Sequence, residues 1–282
     1  MTSQRTLPGA LATTLAAIVV LAAAGPASAR EFEHQPKARG TPTPAYPSAN
    51  AIAAAVRFLD TRAGRTSFAV VDSRGRVHGI RLYERFQTAS VVKVMMLVAY
   101  LQMLKAHHRG LDSADTSLLY PMIHISDNDA ASSVLTIVGN AALARVARES
   151  GMRAYAPGAG WWAYTQTSAP DQARFFFALQ RLIPPRFYGY ARWLLSGIEP
   201  SQSWGIPPVA RGGPGGRDPF QIFFKTGALP SEGLFNEVAR LERPGVRITI
   251  AVLTTGDPSM SYGEETIQGV ATALLARSPG VR

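Results

Sequence analysis

Residues 90–104 read SVVKVMMLVAYLQML, with apolar side chains on nearly every face of a helical projection. A helix patterned this way is surrounded on all sides, so the rest of the chain has to fold around it. Its one charged residue is Lys93. A buried ammonium is costly; the amine must be paired or neutral, and a neutral amine is a base. The composition sharpens the point. Of 29 basic residues only four are lysines, Lys37, Lys93, Lys105 and Lys225, and the other 25 are arginines. In a chain that prefers arginine so strongly, a lysine at a buried position marks a place where guanidinium, which keeps its proton, does not serve.

With 282 residues, 46% hydrophobic and 17% charged, the chain has a globular composition, sufficient for one large domain or two closely joined subdomains. Residues 1–29 read as a signal peptide: Arg5 is the only charge, residues 15–24 (LAAIVVLAAA) form a short apolar run, and Ala27-Ser28-Ala29 supplies a small-residue cleavage site. The competing reading of that run is a retained N-terminal membrane anchor. Processing removes one arginine and no acid, leaving 28 basic against 19 acidic residues, a formal charge of +9. The expectation is a secreted, extracytoplasmic monomer of the cell envelope with no membrane span after processing. An anionic envelope suits the charge, as does a general preference for arginine spread over the surface. No basic stretch is interleaved with aromatics, so no nucleic acid partner is expected. The absence of cysteine excludes disulfides, thiolate metal sites, thiol nucleophiles and a lipid-modified cysteine anchor.

Residues 30–47 are polar and proline-rich and read as a flexible leader. A helix is expected over 51–59 behind a cap at Ser48 or Asn50, then strands at 67–72 and 76–82 joined by Ser73-Arg74-Gly75. Helices follow at 90–106, 127–138, 141–150 and 171–182, then strands at 221–225, 235–241 and 246–254, and a closing helix at 258–277. This order predicts an α/β (α+β) fold. Residues 48–88 and 219–282 form an antiparallel sheet flanked by N- and C-terminal helices, with an all-helical subdomain, 89–218, inserted between.

Ser90 and Lys93 lie three apart on a helix, on one face, near enough for the amine to take the hydroxyl proton. Ser126-Asp127-Asn128 opens another helix, and Lys225-Thr226-Gly227 closes the apolar strand QIFFKTG. Singly, these are equally an N-cap, a capping box and a strand end turning at glycine. In this order they match the S-x-x-K, S-D-N and K-T-G set of class A β-lactamases and penicillin-binding proteins.

The chain resembles the serine β-lactamase and D,D-peptidase superfamily, its class A branch in particular, through FQTASVVKV, MIHISDNDAASSVL and, more weakly, residue 51 to the last helix. The Ser201-Gln202-Ser203-Trp204-Gly205 stretch is similar to a Trp-Gly segment of that branch. The resemblance implies the β-lactamase-like fold over 48–282, with Ser90 as nucleophile, Lys93 as its proton acceptor and Ser126 as the relay to the leaving nitrogen. It implies substrate contacts from Asn128, Lys225, Thr226, Gly227 and Ala228, an oxyanion hole from the Ser90 and Ala228 amides, and no cofactor or metal. The substrate class it implies is a small molecule or peptide, a β-lactam or a D-alanyl cell-wall peptide. Lys225 is expected to help keep Lys93 neutral by charge repulsion.

Two departures stand out. Ser90 and Ser126 are only 36 positions apart, implying a more open cleft. The glutamate expected about three dozen residues past the Ser-Asp-Asn serine, which serves deacylation, is missing: residues 158–171 read GAGWWAYTQTSAPD, with no acid between Glu149 and Asp171. Gln166 could bind a water there but is no base. Acylation with slow β-lactam deacylation is therefore expected, against the alternatives of an active β-lactamase or a non-catalytic penicillin-binding sensor. Trp161, Trp162 and Tyr164 in the same segment read either as a substrate rim or as aromatics pinning the loop to the helices. Glu232 is a candidate neighbour of the site. The five histidines show no metal-ligand spacing.

Overall fold

The first helix, α1 (Ala49–Leu59), starts where Ser48 accepts from the Ala51 N–H, and it buries Ala51, Ala55 and Leu59. The computed structural model describes residues 46–212 and 219–276. The expected signal peptide and all but the end of the leader lie outside the described residues. β1 (Arg65–Val71) and β2 (Val77–Ile80) form the expected hairpin, and a two-residue strand, β3 (Phe86–Gln87), leads into a 3-10 turn at Ala89–Val92. Then come α2 (Lys93–Ala106), α3 (Ser113–His124), α4 (Asn128–Ser150), β4 (Gln166–Thr167), α5 (Ala169–Leu182), α6 (Pro185–Ser196) and α7 (Ile206–Ala210). The chain closes with β5 (Gln221–Leu229), β6 (Leu234–Arg243), β7 (Val246–Thr255) and α8 (Met260–Leu275).

Five strands form one antiparallel sheet in the order β2-β1-β7-β6-β5, so strands from the two ends of the chain meet where β1 pairs β7. α1 and α8 pack together on one face and α5 covers the other, where the Thr249 hydroxyl donates to the Ala173 carbonyl at 2.8 Å. The mixed fold with an inserted helical block is as expected. α2 runs through its centre: of its first nine residues, Lys93 to Leu101, every one is buried. Residues Ala89–Ala106 are long and apolar enough to cross a membrane by length and composition, and here they are the buried core of the fold.

The structure amends four details. The helix expected over 90–106 begins as a tighter 3-10 turn that carries Ser90, and the α-helix proper starts at Lys93. The helices expected at 127–138 and 141–150 form one span broken at Gly139, whose φ of 74° and ψ of 159° leave the helical region. α3 and α6 are helices beyond those the sequence pattern predicts; α3 is set by a capping box in which Asp112 and Asp115 satisfy each other's backbone N–H. Lys225-Thr226-Gly227 does not close its strand. β5 continues to Leu229, pairing Thr226 with Glu237, Gly227 with Asn236 and Ala228 with Phe235.

Candidate active site

Lys93 opens α2 with no solvent exposure. Its Nζ lies 2.5 Å from the Ser126 carbonyl oxygen, 3.1 Å from Ser126 Oγ and 2.8 Å from Asn128 Oδ1. Ser126 reaches this position through a left-handed backbone, φ 59°, in the bend between α3 and α4. That conformation is strained for a residue with a side chain, and it turns both oxygens onto the amine. Asp127 then caps α4 by accepting from Ala130 at 2.7 Å. Burial lowers the Lys93 pKa to about 7, opposed by the charge of Asp127. Burial is the larger cause, ahead of repulsion from Lys225. The repulsion between the two amines is mutual, and the Lys225 pKa is driven well down by burial first and by Lys93 second.

The three acceptors suit both protonation states of Lys93. An ammonium donates to all three; a neutral amine donates to the Ser126 carbonyl and Asn128 and receives the Ser126 hydroxyl proton on its lone pair. A proton can therefore pass between Lys93 and Ser126 without any heavy atom moving.

Ser90 is half-buried, one turn before Lys93, and its carbonyl accepts the Lys93 backbone N–H. Ala89, just before it, has φ 46°. No hydrogen bond joins Ser90 Oγ to Lys93; in this arrangement the amine is held by Ser126. β5 runs hard against the Ser90 turn. A Cβ placed on Gly227 would stand 2.7 Å from the Ser90 nitrogen, 2.9 Å from the Thr88 oxygen and 3.0 Å from the Val91 nitrogen. Asn236, opposite Gly227, ties the same segment down by donating to the Gln87 carbonyl at 2.8 Å. The Ser90 amide and the Gly227-Ala228 edge are thus neighbours, as an oxyanion pocket requires.

Lys225 is fully buried and donates to Gln202 Oε1 at 3.3 Å and the Thr226 carbonyl at 3.1 Å. Gln202 in turn donates to the Ile125 carbonyl at 2.7 Å, joining β5 to the bend that carries Ser126. This bridge lies in the Ser-Gln-Ser-Trp-Gly stretch, but nothing in the residue pattern marks the glutamine. Ser90, Lys93, Ser126, Asn128, Lys225, Thr226, Gly227 and Ala228 therefore sit on two walls, α2 with the start of α4 and β5, that meet at the Ser90 turn. Among the described residues, no cluster of His, Asp or Glu is placed to hold a metal.

Glu232, the acid expected near the site, is exposed in the turn after β5. The acid that comes close is Glu237, fully buried opposite Thr226. Its Oε2 accepts the Ile206 N–H at 2.8 Å and its Oε1 has no partner. Gly205 leaves room for this carboxyl, since a Cβ there would stand 2.2 Å from Oε2. Burial pushes the Glu237 pKa well above its ordinary 4.5, against the Ile206 N–H and the charges of Lys225 and Arg211. The folded state therefore binds the greater number of protons over that window, and its stability falls as pH rises through it. Glu237→Gln removes this fall. Its melting temperature, relative to the unsubstituted protein, is expected to increase as pH rises above the ordinary carboxylate range. A constant difference would return Glu237 to the ordinary carboxylate range.

In the segment that lacks a glutamate, Gln87 pairs with Gln166 and the Thr88 N–H donates to the Thr165 carbonyl at 2.8 Å, fastening the loop beside the Ser90 turn. The side-chain amide of Gln166 donates to the Tyr164 carbonyl at 3.1 Å. Trp162 is buried, donates from Nε1 to Ser132 Oγ at 3.1 Å, and sets its ring centre 4.8 Å from Lys93 Nζ. Of the two readings of these aromatics, pinning holds for Trp162, while Trp161 is 36% exposed and packs 5.3 Å from it. His124 turns from the site to the Gly197 carbonyl and stacks on Tyr120.

Fold and motif set together define a class A β-lactamase-like serine hydrolase. The chain belongs to the β-lactamase enzyme family, whose model matches residues 115–277, more than half of the sequence. That match takes in Ser126, Asn128 and Lys225 and begins after Ser90 and Lys93. Among solved structures, a β-lactamase from Sphaerobacter thermophilus DSM 20745 is 23% identical at a TM-score of 0.68, over 80% of this chain and 95% of that one. A β-lactamase from Xanthomonas campestris is 19% identical at 0.66, over 79% and 96%. A variant of the last common ancestor of Gram-negative bacteria class A β-lactamase is 20% identical at 0.69, over 82% and 99%. These likenesses are likenesses of fold. No curated protein matches the chain.

Proposed function

We propose that this protein is an exported acyl-serine hydrolase of the cell envelope, acting on an amide or ester such as a D-alanyl cell-wall peptide or a β-lactam, and that it releases β-lactam acyl groups slowly. The observation that carries the reading is the buried Lys93 amine, held against both oxygens of Ser126 with its pKa near 7. Few structural roles call for a neutral buried lysine; proton transfer does.

In the acylation step Lys93, neutral, turns its lone pair from Ser126 to Ser90 Oγ and takes the hydroxyl proton as Oγ bonds to the substrate carbonyl carbon. The Ser90 and Ala228 amides hold the developing oxyanion. The carbon–nitrogen bond then breaks, Ser126 gives its hydroxyl proton to the leaving nitrogen, and Lys93 restores it. Asn128 holds the substrate amide through its Nδ2, its Oδ1 being taken by Lys93. Lys225 stands beside the Thr226 hydroxyl for a substrate carboxylate, whose negative charge would favour the ammonium that burial opposes. Slow deacylation follows from the segment between Glu149 and Asp171, which offers no carboxylate to activate a water.

Intact-mass spectrometry of the protein mixed with a penicillin, followed from seconds to hours beside Ser90→Ala, tests this. The expected result is a persistent adduct of one drug mass that Ser90→Ala does not form. Rapid consumption of the drug without an adduct would make the protein an efficient β-lactamase with another deacylation base. Neither adduct nor consumption would move the function to other esters or to a binding role.

A further inference from the structure

The Lys93 amine has no exposure to solvent. Ser126 O, Ser126 Oγ and Asn128 Oδ1 take its hydrogen-bonding directions, and the face of the Trp162 indole covers it at 4.8 Å, within cation–π range. Trp162 is 7% exposed and held from several directions: its Nε1 donates to Ser132 Oγ on α4, Trp161 packs against it, and its 3-10 turn is fastened to the Ser90 turn through Thr88 and Thr165. The indole is a fixed wall of the site.

Such a wall bears on the second half of the reaction. Hydrolysis of an ester on Ser90 needs a water whose oxygen bonds to the acyl carbon while a base takes its proton; the carbon–Oγ bond breaks and a proton returns to Oγ. Two of the acids around the site are committed to backbone N–H groups, and the third, Glu237, is disfavoured as a carboxylate by its burial. Asp127 caps α4, Asp171 accepts from the Arg153 and Ala154 N–H groups, and Glu237 lies buried against Ile206. That leaves Lys93, which exchanges protons with Ser126 through an existing hydrogen bond but meets indole, not water, on its remaining side. Resting on the reading of Ser90 as the acylated nucleophile, we infer that Trp162 sets the lifetime of the acyl-enzyme by holding water off the Lys93 amine. The same closure admits acylation, whose protons pass between protein and substrate hydroxyls and amines, and blocks the step that requires a water at the base. Trp162 is thus a positioning residue that determines specificity for an acyl group retained rather than hydrolysed.

The test compares Trp162→Ala, Trp162→Phe and Ser132→Ala with the unsubstituted protein, timing both gain and loss of the penicillin adduct by intact mass from about pH 5.5 to about pH 9. For Trp162→Ala the ratio of deacylation to acylation rate is expected to rise about tenfold or more. Its deacylation should also acquire a rising limb, displaced above pH 7 because water at the Lys93 amine relieves the burial that lowers its pKa. Trp162→Phe, which keeps an aromatic face, should stay close to the parent. Ser132→Ala, which frees the indole N–H without touching Lys93, should fall between them, and it carries the test if Trp162→Ala does not fold. An adduct whose lifetime is the same in the parent, Trp162→Ala and Ser132→Ala, or whose loss gains speed without that pH dependence, overturns the inference and leaves Ser90 acylation standing. Absence of an adduct on the parent protein overturns the reading of Ser90, and this inference with it.

Discussion

Lys93→Arg is expected to slow acylation of Ser90 by about 10²–10⁴-fold, the usual worth of a positioned general base. The amine at this position is buried and titrates near 7, so close to neutral pH a large fraction is unprotonated. Guanidinium keeps its proton under all these conditions, and its planar fork does not fit three oxygens gathered around one nitrogen. The sign of the pH dependence follows from the direction of the shift. Only the neutral amine accepts the Ser90 proton, so the parent's acylation rate should rise with pH up to about 7 and level off above it. The variant should show a low rate without that limb. Adduct formation timed by mass spectrometry across pH measures both. A variant that acylates at the parent's rate would mean that Ser126 reaches Ser90 without help from the lysine.

Gly227→Ala is expected to be nearly as damaging, for a steric reason. The added methyl would fall 2.7 Å from the Ser90 nitrogen, 2.9 Å from the Thr88 oxygen and 3.0 Å from the Val91 nitrogen. All three are backbone atoms, so no side-chain rotation relieves the contact. β5 must retreat from the Ser90 turn, costing about 1–3 kcal/mol of stability. The retreat also parts the Ser90 amide from the Ala228 amide, and losing one oxyanion donor typically costs about 10²–10³ in rate. Thermal unfolding and acylation rates on the same preparation measure the two effects. A variant that loses stability but acylates normally would place the oxyanion donors elsewhere.

The two substitutions differ in how far the sequence foretells them. Lys93 stands out in the sequence because charge is rare in an apolar helix and lysine is rare in this chain. Gly227 does not: it reads as a turn at the end of a strand. Only the register of β5 on β6, and the pressure of β5 on the Ser90 turn, show it to be a point of close approach. The same distinction runs through the fold. Alternating strands near both ends of the chain predicted one sheet built from both, and it is there. α3 and α6 are not legible in the sequence because their patterns are weakly punctuated, with a proline, Pro121, inside one and a proline pair, Pro184-Pro185, at the start of the other.

By itself the sequence determined which residue types stand ready for chemistry and in what order, because motif spacing and a misplaced lysine are local facts. It also determined what is missing, since the lack of an acid between Glu149 and Asp171 needs no coordinates. The tertiary structure alone decided what each group faces. It put Trp162, from the segment that lacks a glutamate, against Lys93, Glu237 rather than Glu232 behind Lys225, and Gln202 between β5 and the Ser126 bend. Those contacts join residues 12 to 77 positions apart in the chain. Their energies come from burial and close approach, and neither exists until the sheet and the helices have closed on one another.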